Sequence, residues 1–122
     1  MAEQQPPRLR FGRAARIKQG RDFARLRQRG ERRATGCLVA NWQRMPAGSA
    51  SRLGVITSSK VGGAVTRNRV RRLVREVFRL NQRTLAQPLD LIIVARPPLA
   101  GKGFAEIERE FLGTLRKAGL LV

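Results

Sequence analysis

The chain has 122 residues, with 26 lysines and arginines against 8 aspartates and glutamates, and a formal net charge of +18. That length supports one domain, 1–122, with one modest core, and that charge calls for a polyanionic partner, either nucleic acid or an anionic membrane surface. Histidine and tyrosine are absent and Cys37 is the only cysteine, which excludes imidazole acid–base chemistry, Ser-His or Cys-His nucleophile pairs, an internal disulfide and a cysteine metal cluster.

In chain order, the first segment carries Glu3, Pro6 and Pro7 without an apolar stretch, so it is neither a secretion signal nor a membrane span. It reads as a basic arm, disordered over 1–8, on a cytoplasmic protein. Gly20–Arg29 fits a short helix ended by Gly30, with Phe23 and Arg27 on one face and Leu26 beside them. Cys37–Gln43 alternates loosely as a strand, with Cys37 a small buried residue rather than a nucleophile. Met45–Ser51 is turn-rich, and Arg52–Ser58 returns as a second strand, so the pair reads as a hairpin with a long loop.

Ser59-Lys60-Val61-Gly62-Gly63 then leads into a helix from about Ala64 to Arg83, capped by Gly63 or Thr66. The two glycines lack the G-x-x-x-x-G-K-[ST] pattern of a nucleotide loop, though the helix N-terminus can still hold a backbone phosphate. Leu91–Ala95 is apolar throughout, as suits a strand covered on both faces, and Pro97 and Pro98 close it. A last helix over Gly103–Ala118 aligns Phe104, Ile107, Phe111 and Leu115 along one seam. Glu106, Glu108 and Glu110 fall in its first turns, where acids complement the helix dipole; no metal site is expected of them. The pattern is α+β, with helices packed on a small mixed sheet.

The basic helix is the most informative element. With Val70 as origin and 100° per residue, Leu73, Val74, Val77 and Phe78 fall within about 80° of it. Arg69, Arg71, Arg72, Arg75 and Arg79 spread over the other side, with Glu76 the only acid between Lys60 and Gln87. A solvated face would mix acids with bases, because like charges repel at these spacings. This face expects an anion. Apart from Lys18, Lys60, Lys102 and Lys117 every base is arginine, whose planar fork pairs with phosphate and stacks on nucleobases.

The run Lys60-Val61-Gly62-Gly63-Ala64-Val65-Thr66-Arg67-Asn68-Arg69-Val70-Arg71-Arg72-Leu73-Val74-Arg75-Glu76 resembles the K-x-G-N-A-V-x-R-N-R-x-K-R-x-x-R-E signature of the bacterial ribonuclease P protein subunit. Arg21-Asp22-Phe23, Gly54-Val55 and Ile92-Ile93-Val94-Ala95-Arg96-Pro97 match further marks of that family in order, over about Leu9 to Leu121. The resemblance implies an α-β sandwich of order αβββαβα with a left-handed crossover around the basic helix. It therefore requires one strand more than the three read above, near Leu9–Phe11 or from a split in the hairpin.

It also implies a function: a monomeric protein bound to a catalytic RNA that removes the 5′-leader from precursor tRNA, with Mg²⁺ supplied through the RNA. The catalytic centre would lie in that RNA. Lys60, Arg67, Asn68, Arg69, Arg71, Arg72 and Arg75 would contact RNA. A cleft between sheet and first helix would hold the single-stranded leader, with Phe23 as one of its aromatics. Here Arg27 and Asn41 replace two other aromatics of that cleft, Ser59 departs from a lysine and Gly63 from an asparagine. Trp42 is expected in the core, since neighbouring strand residues face opposite ways. The alternatives are a structural RNA-binding protein of ribosomal type and a DNA-binding module with the basic helix in a major groove.

Overall fold

A computed structural model describes residues 15–17 and 20–122. The expectations of a basic arm at 1–8 and of an added strand near Leu9–Phe11 fall outside the described residues. Helix α1 spans Gly20–Arg29, followed by strands β1 (Glu31–Ala34), β2 (Leu38–Arg44) and β3 (Arg52–Ile56), helix α2 (Ala64–Leu80), strand β4 (Leu89–Ala95) and helix α3 (Phe104–Lys117). The order is αβββαβα, and short 3₁₀ turns at Gln82–Thr84 and Pro97–Gly101 flank β4.

The strands form one mixed sheet in the order β1-β2-β4-β3. β2 therefore does not pair with β3, and the expected hairpin is wrong. β4 lies between them, antiparallel to β2 through Val39↔Val94 and Trp42↔Leu91, and parallel to β3 through Leu53↔Leu91 and Ile56↔Val94. The physical reason lies in β4 itself. All of it but Val94 is buried, and only a central strand between helix layers hides both of its faces. The fourth strand is β1, whose four residues are all exposed and carry no apolar alternation. It is an edge strand, and exposed charges such as Arg32 and Arg33 disfavour edge-to-edge pairing.

Two cores lie on opposite faces of the sheet. On one face Leu38, Ala40 and Trp42 of β2, Leu53 of β3 and Leu91 and Ile93 of β4 pack against α2 and α3. Val70, Val74, Val77 and Phe78 supply the α2 surface, and Ile107, Phe111 and Leu115 that of α3. Trp42 is in this core, with its indole Nε1 donating to Glu31 at 3.0 Å. On the other face α1 covers Ile92 with Leu26, helped by Ile17 and Phe23.

A charged pillar fastens α1 to this second face. Asp90, on β4, is buried, yet its carboxylate accepts bonds from Arg25 Nη2 at 2.5 Å and from Arg52 Nε and Nη2 at 2.9 and 2.6 Å. Asp22 lies 3.5 and 3.6 Å from the same two guanidiniums.

Helix α2 ends at Leu80, short of Arg83, because Asn81 turns its amide Nδ2 back onto the Val77 carbonyl at 2.8 Å and onto Glu108 at 3.0 Å. At its start Gly63 is the N-cap and makes no side-chain cap bond. Gly62 before it has φ of 150°, and a Cβ there would lie 2.9 Å from the Thr66 side chain. The entry into α2 thus needs glycine at 62.

Leu73, assigned by the helical wheel to the buried stripe, is only half-buried and packs at the margin of the core. Leu73→Ala should therefore cost about 1–2 kcal/mol, below the roughly 2–5 kcal/mol of a fully buried leucine. Urea denaturation measures the difference, and a loss above that range would place Leu73 deeper than its exposure indicates.

Candidate nucleic-acid interface

The amphipathic pattern of α2 gives the first surface its shape. Because the apolar stripe is fastened to α3 and the sheet, Asn68, Arg71, Arg72, Arg75 and Arg79 are carried to the opposite flank. They line a groove of about 500 Å³ together with Glu76 and Arg16. Arg16 comes from outside the helix and bridges to Leu53 at the free edge of β3. No helical or strand period marks that part of the sequence, so pattern reading had no means of assigning it to the groove.

The groove is strongly cationic and internally ordered. Arg71 Nη1 donates to Thr57 Oγ1 at 2.6 Å, and its Nη2 donates to Asn68 Oδ1. Partial burial, and then the charges of Arg16 and Arg71, lower the Arg75 pKa from the ordinary arginine value. Cations that crowd one another in this way gain most when an anion joins them. Glu76 is the exception to the positive lining, and its carboxylate accepts from Arg79 Nε at 3.0 Å. Those bonds hold the Glu76 carboxyl below its ordinary range.

The other expected contacts divide. Arg72 projects from the groove wall, and Lys60 is exposed in the turn that precedes α2. That turn is held by bonds from Val61 N to Ser58 O and from Gly62 N to Ser59 O, at 3.0 and 3.2 Å. Arg67 is half-buried, with Nε inaccessible and without a hydrogen-bond partner among the described residues. Arg69 stands apart. It leaves the helix on the α3 side and donates to the carbonyls of Ala100 and Lys102 at 3.4 and 3.1 Å. There it closes the turn at Pro97–Gly101 and faces away from the groove.

The second surface is on the α1 side of the sheet. Phe23, Ala24, Arg27 and Ile56 line a cleft of about 540 Å³. Gly54 of β3 lies directly beneath the Phe23 ring, where a Cβ would approach it to 3.2 Å. The glycine lets the ring settle on the sheet. A second cavity of about 410 Å³ is lined by Arg27, Arg32, Val39, Asn41 and Val94. Phe23, Arg27 and Asn41 are thus on one side of the sheet, as expected, while Trp42 points to the other. The two surfaces meet around β3: Ile56 lines the cleft, and its neighbour Thr57 holds Arg71 of the groove.

The acids of α3 are separately engaged. Glu106 lies 3.9 Å from Lys102, Glu108 accepts from Asn81, and Glu110 accepts from the Cys37 thiol at 3.4 Å. Burial pushes the Cys37 thiol above its ordinary pKa, and Glu110 adds to that shift, which suits a structural cysteine rather than a reactive one.

The family model for ribonuclease P matches residues 11–119. The chain belongs to the ribonuclease P protein family. It is 37% identical over 107 residues to the ribonuclease P protein component of Clostridium kluyveri, covering 86% of this chain and 95% of that one. The Staphylococcus aureus RNase P protein superposes with a TM-score of 0.81 at 29% identity, over 90% of this chain and 100% of that chain. The Thermotoga maritima RNase P protein gives 0.74 at 27% identity, over 84% and 96%. As a ribonuclease P protein, the chain is an RNA-binding subunit that assists ribonuclease P RNA. Among the described residues, the groove along α2 brings together five arginines, Arg16, Arg71, Arg72, Arg75 and Arg79, against the single acid Glu76.

Proposed function

We propose that this ribonuclease P protein seats the α2 groove on the catalytic RNA and takes the single-stranded 5′-leader of precursor tRNA into the cleft beside α1. One observation carries this reading. A cationic groove and a cleft with an aromatic wall lie on opposite faces of one sheet and meet at its β3 edge. Lys60, Arg67, Asn68, Arg71, Arg72 and Arg75 serve the RNA side, joined by Arg16. Phosphate neutralisation by such a surface releases counterions and gives affinity with a steep salt dependence. Phe23 offers a stacking platform, which suits a single strand because every base has a π-face.

The hydrolysis itself belongs to the RNA and its Mg²⁺. The protein acts as a monomer in the cytoplasm, strengthening substrate binding and lowering the Mg²⁺ requirement. No helix among the described residues is long and apolar enough to cross a membrane. The test is cleavage of a precursor tRNA by a bacterial ribonuclease P RNA at low Mg²⁺, with and without this chain. Protein-dependent appearance of the mature 5′-end is expected. Binding to that RNA with no gain in cleavage would overturn the reading in favour of a purely structural RNA-binding role.

A further inference from the structure

The acids on the α1 side of the sheet serve some arginines there and leave others. Arg25 and Arg52 are neutralised by Asp22 and Asp90. Arg27 and Arg32 line one cavity, and neither has a hydrogen bond or ion pair among the described residues. We propose that Arg27 and Arg32 form a clamp for a single phosphate of single-stranded RNA, with Asn41 as the polar floor that meets the attached nucleoside. The proposal rests on the leader entering this cleft, and it assigns a role to Arg32 and a chemistry to the second cavity.

Strand register builds the site. Arg32 of β1 lies opposite Asn41 of β2, and Val39 of β2 lies opposite Val94 of β4. Alternate residues share a face, so Arg32, Val39, Asn41 and Val94 all project toward the α1 side. Arg27 reaches the same cavity from α1, and it also lines the adjoining cleft with Phe23 and Ile56. A strand whose base stacks on Phe23 can therefore carry its backbone past Arg27 into the second cavity.

The chemistry of the lining selects a phosphate. Two guanidinium forks offer several fixed donors and two positive charges, and a phosphodiester accepts bidentate bonds from such forks. Val39 and Val94 supply apolar walls against which the arginine stems and a ribose can pack. Asn41 brings both a donor and an acceptor for a base edge or a ribose hydroxyl. Aromatic residues at 27 and 41 would hold a base by stacking and would leave the phosphate to solvent. In this chain the second cavity holds the backbone, which fixes the leader's register.

The experiment uses the complex of this chain with a bacterial ribonuclease P RNA. Affinity is measured across salt for a precursor tRNA and for the same tRNA without its leader, and the difference is the leader's contribution. Arg27→Gln and Arg32→Gln should each reduce that contribution roughly three- to tenfold and lower its salt slope by about 0.7. Circular dichroism should stay unchanged, because both side chains are exposed. A leader carrying one uncharged methylphosphonate, moved along position by position, should weaken wild-type binding at one position. The Arg27→Gln/Arg32→Gln protein should be insensitive there.

Full leader contribution and unchanged slope in both glutamine variants would overturn the clamp, provided that Phe23→Ala still loses leader affinity. Continued sensitivity of the double variant to that methylphosphonate would overturn it too. If Phe23→Ala also leaves the leader contribution intact, the leader is not in this cleft, and it is the underlying reading that fails.

Discussion

Asp90→Ala is expected to cost about 3–5 kcal/mol of folding stability, the loss typical when one partner of a buried ion network is removed. Arg25 and Arg52 would be left converging on an empty site, with the more distant Asp22 as their only acid among the described residues. The same network sets an acid limit. Burial alone would raise the Asp90 pKa, but the hydrogen bonds from Arg52 and Arg25 outweigh it and hold the carboxyl below its ordinary value. A group whose folded pKa is depressed stabilises the fold at every pH above its unfolded value, about 3.9 for aspartate. That contribution disappears as pH falls through the folded pKa. Urea midpoints should accordingly be flat for this group near neutrality and decline in strong acid, and Asp90→Asn should remove its share of the acid decline. An Asp90→Ala midpoint equal to wild type would show that α1 is held by its apolar contacts alone.

The second large effect belongs to the groove. Arg71→Ala with Arg75→Ala should weaken binding to ribonuclease P RNA roughly 10- to 100-fold at low salt and reduce the salt slope by about one or two units. Part of the loss comes from Arg71 letting go of Thr57 and Asn68. Arg69→Ala is the contrast, since its guanidinium serves the Pro97–Gly101 turn. It should lower stability by about 1 kcal/mol and leave the slope nearly unchanged. Filter binding across salt, with circular dichroism to verify folding, separates the two. Equal slopes for the double variant and wild type would remove this face of α2 from the interface.

Residues whose neighbours are local were legible in the sequence; those placed by distant contacts were not. Gly20–Arg29 and the start of α2 at Ala64 agree with the structure because amphipathic period and glycine punctuation lie within the segments. The sheet was misread where its pairing is non-local. A turn-rich loop between β2 and β3 suggests a hairpin, while the apolar run of β4, which demands cover on both sides, was the signal that it belongs in the centre. Glu31–Ala34 has no pattern of its own and becomes a strand only by lying along β2. In the groove, the helical wheel separated apolar from cationic positions but could not see that Arg69 meets backbone carbonyls from residues 100 and 102. Arg16 enters through a bridge to Leu53, which no local motif announces.

The central position of β4 governs how the chain can fold as it leaves the ribosome. Synthesis is vectorial and domains fold as units. Until residues 89–95 have emerged, β1 and β2 can pair with each other, while β3 has only the short bridge from Arg16 beside it. The cationic α2 segment is by then fully synthesised but lacks the β4 centre of the sheet and the α3 helix on which its apolar stripe packs. Its hydrophobic and positively charged faces are therefore both exposed during that interval, in a compartment crowded with ribosomal RNA. Pairing across such long sequence separations slows folding, and the arrival of β4 through α3 is what covers the apolar stripe of α2.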